Sequence, residues 1–352
     1  MTTLQQELLD PAGTRRGASW RTLLLVGGAL VAGAMLVRAA DPDRIAWIQN
    51  LLLVFSSLLI EALPFVLLGA LVSAAIEVFV PASAFEKLAR LPRGLQLPAA
   101  GFAGMAFPVC ECGSVPVARR LASKGLSPGA AITFMLAAPV VNPVVVASTF
   151  VAYRGRSTLW PMVLGRLGLG LVVAIAVGWV VGHVKREELL RARAGDTGHD
   201  HGDDHDPGHA HGDGPALAEP RWSRFAGHVS GDFLFMAKFL AAGALAAAAL
   251  QTFVPQSIIG SVANLPIVSL IAMMALAFLL SLCSESDAFV AASFVQFGVG
   301  PQLAFLVFGP MVDMKLGALY VGTFNRGFFR TITIAVAAVT LVATLWIEVL
   351  IG

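Results

Sequence analysis

The side chains able to do chemistry gather in two short stretches. The first is Pro108-Val109-Cys110-Glu111-Cys112-Gly113-Ser114-Val115-Pro116-Val117-Ala118-Arg119-Arg120, and the second is Leu282-Cys283-Ser284-Glu285-Ser286-Asp287. Between them they hold all 3 cysteines of the chain. Thiolate sulfur is a soft ligand. Cys110, Cys112 and Cys283 brought together would suit a soft, thiophilic solute such as a trivalent arsenical, and would suit Mg²⁺, Ca²⁺ or a sugar poorly. The plain alternative is that each is a small core hydrophobe, because free cysteine is often buried. Cys-x-Cys is not the Cys-x-x-Cys of thiol oxidoreductases, and three cysteines in apolar surroundings make no disulfide scaffold.

Carboxylates and one ammonium accompany the thiols. Glu111, Glu285, Asp287, Asp313 and Lys315 fall within apolar segments. A charge there costs about 2.5–3.5 kcal/mol on insertion scales, so it has a role or a partner. A carboxylate removed from water at this depth could take up and release a proton. These residues are therefore the proton-coupling candidates, with a structural ion pair as the alternative. Glu61, Glu77 and Lys238 sit nearer helix ends, where snorkelling is the simpler account. Asn142 and Asp313 mark two helix breaks, Pro139-Val140-Val141-Asn142-Pro143 and Gly309-Pro310-Met311-Val312-Asp313-Met314-Lys315. They join the cysteines as candidate substrate-binding residues.

The elements that must position these groups are membrane helices. The chain is 57% hydrophobic and only 13% charged, against about 25% charge in a soluble domain. Several apolar runs reach the ~20 residues needed to cross a bilayer. The expected class is an all-α polytopic membrane protein. The net charge of +2 is spread over loops, which argues against a nucleic-acid partner, and no cofactor is implied. Residues 1–40 form a tail and a first helix, with Thr22–Val37 as an uncleaved span rather than a signal peptide. Residues 41–184 and 225–352 form two transmembrane repeats. A linker at 185–224 separates them and carries His199, His201, His205, His209 and His211 among Asp and Gly. Such a tract binds Zn²⁺, Ni²⁺ or Cu²⁺ loosely, without the spacing of a closed site.

The two repeats line up by their punctuation. Phe79-Val80-Pro81 matches Phe253-Val254-Pro255, Leu91-Pro92 matches Leu265-Pro266, and Cys110 matches Cys283. Gly125-Leu126-Ser127-Pro128 matches Gly298-Val299-Gly300-Pro301, and Pro139 with Asn142 matches Pro310 with Asp313. Segments Gly94–Val109 and Val115–Ser123 are too short to span; 16 residues rise only ~24 Å. They read as the arms of a re-entrant hairpin tipped by the cysteines. Lys and Arg favour the cytoplasmic side. That puts the amino terminus, the loop with Lys87, Arg90 and Arg93, the cluster Arg119, Arg120 and Lys124, and the histidine linker inside, at the cost of Arg154 and Arg156 outside. Three spans plus one hairpin per repeat invert the second copy. Inverted repeats with broken helices are a common plan for secondary transporters, and irregular backbone at membrane depth survives only inside protein or against a wet cavity. The rival reading makes the short arms parts of ordinary spans and the repeats parallel.

Phe107-Pro108-Val109-Cys110-Glu111-Cys112-Gly113-Ser114-Val115-Pro116, followed by Gly125-Leu126-Ser127-Pro128 and Ala138-Pro139-Val140-Val141-Asn142-Pro143, resembles the ArsP/YraQ-type predicted permease family over about residues 45–352. The resemblance implies an inner-membrane permease. Members similar to ArsP export trivalent organoarsenicals, which agrees with the thiol argument, and the histidine linker is no part of the shared pattern. The leading expectation is a proton-coupled exporter of a soft thiol-reactive solute. One alternative is a divalent transition-metal transporter with the histidine linker as a cytosolic buffer. Another is a membrane thiol-redox protein or a non-transporting subunit of a permease complex. The expected partners are the solute and the bilayer, with a partner subunit or a homo-oligomer left open.

Overall fold

In a computed structural model, residues 46–80, 91–106, 109–182, 221–253, 266–324 and 326–351 are described. The first helix expected at Thr22–Val37 and all five linker histidines lie outside them. The chain divides into two compact units, Met1–Asn50 and Leu51–Gly352, and the contacts below lie within the second.

The described residues form twelve α-helices. In the first half α1 is Ala46–Phe79, α2 Arg93–Ala103, α3 Glu111–Ser123, α4 Pro128–Val141, α5 Pro143–Ala152 and α6 Leu159–Val181. In the second half α7 is Arg221–Phe253, α8 Pro266–Leu280, α9 Asp287–Ser293, α10 Val299–Phe308, α11 Met314–Thr323 and α12 Arg326–Ile351. Five apolar stretches are long enough to cross a membrane: Trp47–Phe79, Pro128–Ala152, Leu159–Val181, Trp222–Thr252 and Gly327–Val349. The polytopic, all-helical expectation therefore holds for the described residues.

Local chemistry explains the boundaries. α4 begins on Pro128, whose missing N–H costs nothing in the first turn, and the Ser127 hydroxyl accepts from the Ala130 N–H at 3.3 Å. The sequence reading interrupts this span across Pro139–Pro143. The helix runs through Pro139, and the break narrows to Asn142, whose ψ is 130°. The cause is Pro143, because a proline drives the residue before it out of the α region. The arms of the cysteine hairpin also shift. α2 ends at Ala103 and continues as a single 3₁₀ turn, Gly104–Ala106. α3 starts at Glu111, earlier than the Val115 expected, so Glu111 and Cys112 lie on its first turn.

The broken spans form the centre. Every residue of α4 from Gly129 to Val141 is buried, as is every residue of α10 from Gly300 to Phe308, whereas α1 and α12 expose alternate faces. α4 packs on α2, α3 and α6, and α10 packs on α8, α9 and α12. Across the two halves α3 packs on α11, α9 on α5, and α6 on α12. Close crossings rely on glycine. A Cβ at Gly69 of α1 would come within 2.5 Å of the Gly113 Cα in α3, so the two backbones touch there.

Candidate functional site

Three chain segments meet around one ammonium group. The first is the start of α3. Cys110 is its N-cap in extended conformation, and its carbonyl accepts from the Ser114 N–H at 3.0 Å. The Ser114 hydroxyl donates to the carbonyls of Glu111 at 2.9 Å and Met135 at 3.1 Å, which fastens this turn to α4. Glu111 lies in the first turn, where the positive end of the helix dipole favours an anion.

The second segment follows α8. Ser281 takes φ +46°, a left-handed conformation that is costly for a residue with a Cβ. It stops the helix, and its hydroxyl accepts from the Met314 N–H at 3.2 Å. Gln251 of α7 donates from Nε2 to the carbonyls of Leu279 and Leu280 at 3.2 and 2.9 Å, satisfying the end of α8. The chain then turns at Cys283, whose carbonyl accepts from the N–H groups of Ser286 and Asp287, both at 3.0 Å.

The third segment is the start of α11. Asp313 caps it, with Oδ1 accepting from the Leu316 N–H at 2.6 Å. Lys315 follows two residues later, at the helix end that disfavours a cation. Its neighbours offset that penalty. Lys315 Nζ lies 3.5 Å from Glu111 Oε1, 3.8 Å from Asp313 Oδ2 and 3.7 Å from Cys283 Sγ. Glu111 Oε2 accepts from the Ser284 hydroxyl at 3.0 Å. Cys110 and Cys112 flank Glu111 in the chain, and Glu111 faces the same Lys315 ammonium as Cys283. All three thiols are free, and Cys110, Cys112, Cys283, Glu111, Asp313 and Lys315 are all 0% exposed.

Sequence reasoning passed over Arg166, which anchors the second cysteine loop. It sits inside α6 and is 2% exposed. Its guanidinium meets Asp287 with two parallel bonds of 2.8 Å, and also donates to the Ser284 carbonyl at 3.1 Å and to Thr149 Oγ1 at 2.9 Å. The signal was present, since an arginine within an apolar span requires a partner. Ser281 and Gln251 were missed as well, and nothing in their sequence context marks them.

The remaining candidates are placed as follows. Asn142 lies behind the cysteines. Its Oδ1 accepts from the Val144 N–H at 2.9 Å, and its Nδ2 donates to the Val109 carbonyl at 3.5 Å, next to Cys110. Asp287 is engaged by Arg166 and stands apart from Lys315. Glu285 is half-buried and accepts from the Ser284 hydroxyl at 3.4 Å. Glu61 does more than snorkel, since its Oε1 accepts from the Ser286 hydroxyl at 3.0 Å. Lys238 is exposed and lies over the rings of Phe235 and Phe239 at 4.6 and 5.1 Å. Among the described residues no three His, Cys, Asp or Glu side chains are arranged to hold a metal ion; the space among the thiols and carboxylates is taken by the Lys315 ammonium.

Residues 47–349 match the family described as ArsP_1, predicted permease. The chain belongs to this predicted permease family. It is 36% identical over 297 residues to the UPF0718 protein YcgR of Bacillus subtilis (strain 168), covering 84% of this chain and 96% of that one. It is also 36% identical over 265 residues to a Streptococcus mutans protein named as a subunit of a two-component membrane permease complex, covering 75% of this chain and 83% of that one. No solved structure matches. Family membership and the five apolar spans agree on a multi-pass membrane permease. In such a protein a closed cluster of thiols, carboxylates and one ammonium can do two things: hold a thiophilic solute through sulfur, and change its net charge by one proton.

Proposed function

We propose that this permease is a secondary-active, proton-coupled exporter of a soft, thiol-reactive solute of the trivalent organoarsenical class, working at the cytoplasmic membrane. The observation that carries the reading is one buried ammonium, Lys315, facing Cys283, Glu111 and Asp313, with the buried Cys110 and Cys112 on either side of Glu111 in the chain. Cys110, Cys112 and Cys283 are the reversible ligands, and the solute draws them together as Lys315 gives way. One ammonium facing two carboxylates leaves one negative charge over, and a proton taken up or released there is the coupling event.

The two halves act as inverted repeats. Support comes from the matching order of helices and from two end contacts. α3 runs from the site to Lys124, beside the start of span α4–α5. α9 runs from the site to Ala292, whose carbonyl accepts from Arg156 at 2.8 Å, beyond the other end of that span. At 13 and 7 residues both fall well short of the ~30 Å apolar core. The preference of Lys and Arg for the cytoplasmic side supports an amino terminus and a histidine linker in the cytoplasm.

The test is uptake of methylarsenite into everted vesicles containing the permease. Uptake that collapses on adding a protonophore and is lost in Cys110→Ser supports the reading; Zn²⁺ or Ni²⁺ uptake in its place supports the metal reading. The name of the Streptococcus mutans relative favours a second feature, a partner subunit. Purified protein that transports only after a second membrane protein is added back would establish it.

A further inference from the structure

A second ion cluster ties the two halves together away from the cysteines. It lies at the far end of α3. Arg120 reaches Asp232 of α7 at 3.2 Å and Glu77 of α1 at 3.4 Å. Lys124 lies 3.4 Å from Glu77 Oε2 and donates to the Glu77 carbonyl at 3.0 Å. The Ser73 hydroxyl of α1 donates to Asp232 at 3.0 Å. Asp232 is thus a second-half member of the cluster, held by Arg120 and Ser73 from the first half, with His228 one turn before it on α7.

Among the described residues this is the most exposed of the ion clusters that join the halves. Arg166 and Asp287 are 2% and 4% exposed at their side chains, and Lys315 and Glu111 0% and 1%. Parting either pair would leave two uncompensated charges in an apolar interior, which costs far more than the pair itself contributes. Arg120 and Glu77 are 17% and 24% exposed, with Asp232 at 8%. Arg120 and Glu77 regain more solvent when released, so this cluster parts at lower cost than the other two.

The helix it holds links the two sites. α3 carries Cys112 in its first turn, next to the Cys110 cap, and Arg120 near its other end. Its first turn rests on α1 with Gly113 against Gly69. It is followed by Gly125 at φ +110°, a conformation that glycine adopts without strain. The opposite end of the site is closed differently, by the buried Tyr153 hydroxyl donating to Gln302 at 2.6 Å and by Gln302 Nε2 donating to the Phe294 and Phe297 carbonyls at 3.1 and 2.8 Å.

We propose that Asp232 is the latch of a gate: its bonds to Arg120 and Ser73 hold α3 shut across the route from one membrane face to the cysteine site, and releasing them lets water and solute in from that face alone. The inference rests on the reading of that site as a transport site, but its test needs no solute. The chain's own cysteines, all buried, are the probes. A membrane-impermeant maleimide is added to vesicles of each orientation, and labelling of Cys110, Cys112 and Cys283 is followed by mass spectrometry. Asp232→Asn keeps the shape and loses the charge. It should be labelled up to roughly fivefold faster than the parent, the scale of losing a part-exposed ion pair, and in one vesicle orientation only. Arg120→Gln, which removes the same bond from the other partner, should give the same one-sided acceleration, and Asp232→Glu should label as slowly as the parent. Unchanged rates in either neutral variant, or equal acceleration from both sides, would overturn the gate. A permease that passes this test yet fails to carry methylarsenite would count against the solute and leave the gate standing.

Discussion

Arg166 and Asp287 form a buried, two-pronged ion pair that joins α6 of the first half to the first turn of α9 in the second. Because Arg166 also holds the Ser284 carbonyl, and the Ser284 hydroxyl holds Glu111, one guanidinium fixes the loop that presents Cys283. Removing one member strands the other in an apolar interior. Arg166→Met and Asp287→Leu should each destabilise the protein by about 3–5 kcal/mol. The double variant should lose far less than the sum, because residues sharing one network do not add. Thermal unfolding of the four proteins in one detergent checks this.

Lys315 separates stability from transport. Lys315→Met leaves Glu111 and Asp313 facing each other without a cation, and should cost about 3–5 kcal/mol and abolish methylarsenite resistance. Adding Asp313→Asn removes one of the two stranded charges. That double variant should recover much of the melting temperature while remaining sensitive in a resistance assay.

The two helix breaks predict parallel effects. Asn142 and Asp313 each cap the helix that follows through a side-chain oxygen. Asn142→Ala should cost about 1 kcal/mol, as the loss of an N-cap does. Asn142→Asp keeps the capping oxygen but buries a carboxylate against the Val109 carbonyl, so unfolding should shift more than in the alanine variant. Melting curves of the two variants decide it.

Gly69 and Gly94 form a contrasting pair. A Cβ at Gly69 would meet the Gly113 backbone at 2.5–2.6 Å, whereas one at Gly94 would meet nothing within 4 Å. Gly69→Ala should destabilise by about 1–3 kcal/mol through forced backbone movement. Gly94→Ala, in the first turns of α2, should be neutral or stabilising by up to ~1 kcal/mol. Chemical denaturation in micelles gives both values.

Much of this architecture could be read in the residues. Apolar length placed α1 from Trp47 to Phe79 within a residue, and the match of Cys110 to Cys283 anticipated that the two loops meet. The misreadings have physical causes. The break read across Pro139–Pro143 narrows to Asn142, because Pro143 constrains the residue before it while the helix runs through Pro139. Arg166 was hidden in a segment read only for its mean hydropathy. Glu77 was read as a solvated end charge because its partners, Arg120 and Lys124, come from a helix whose direction no local pattern reveals. Lys315 stands two residues from Asp313 in the chain, yet it lies closer to Glu111, a contact that only the folded chain creates.

The central claim is that sulfur from both halves of the chain binds one solute. Arsenic X-ray absorption on purified permease loaded with methylarsenite tests it most directly. The account predicts a shell of sulfur neighbours around arsenic that loses one sulfur in Cys283→Ser and one in Cys112→Ser. A shell of oxygen or nitrogen alone, or a sulfur count unchanged by either substitution, would contradict it.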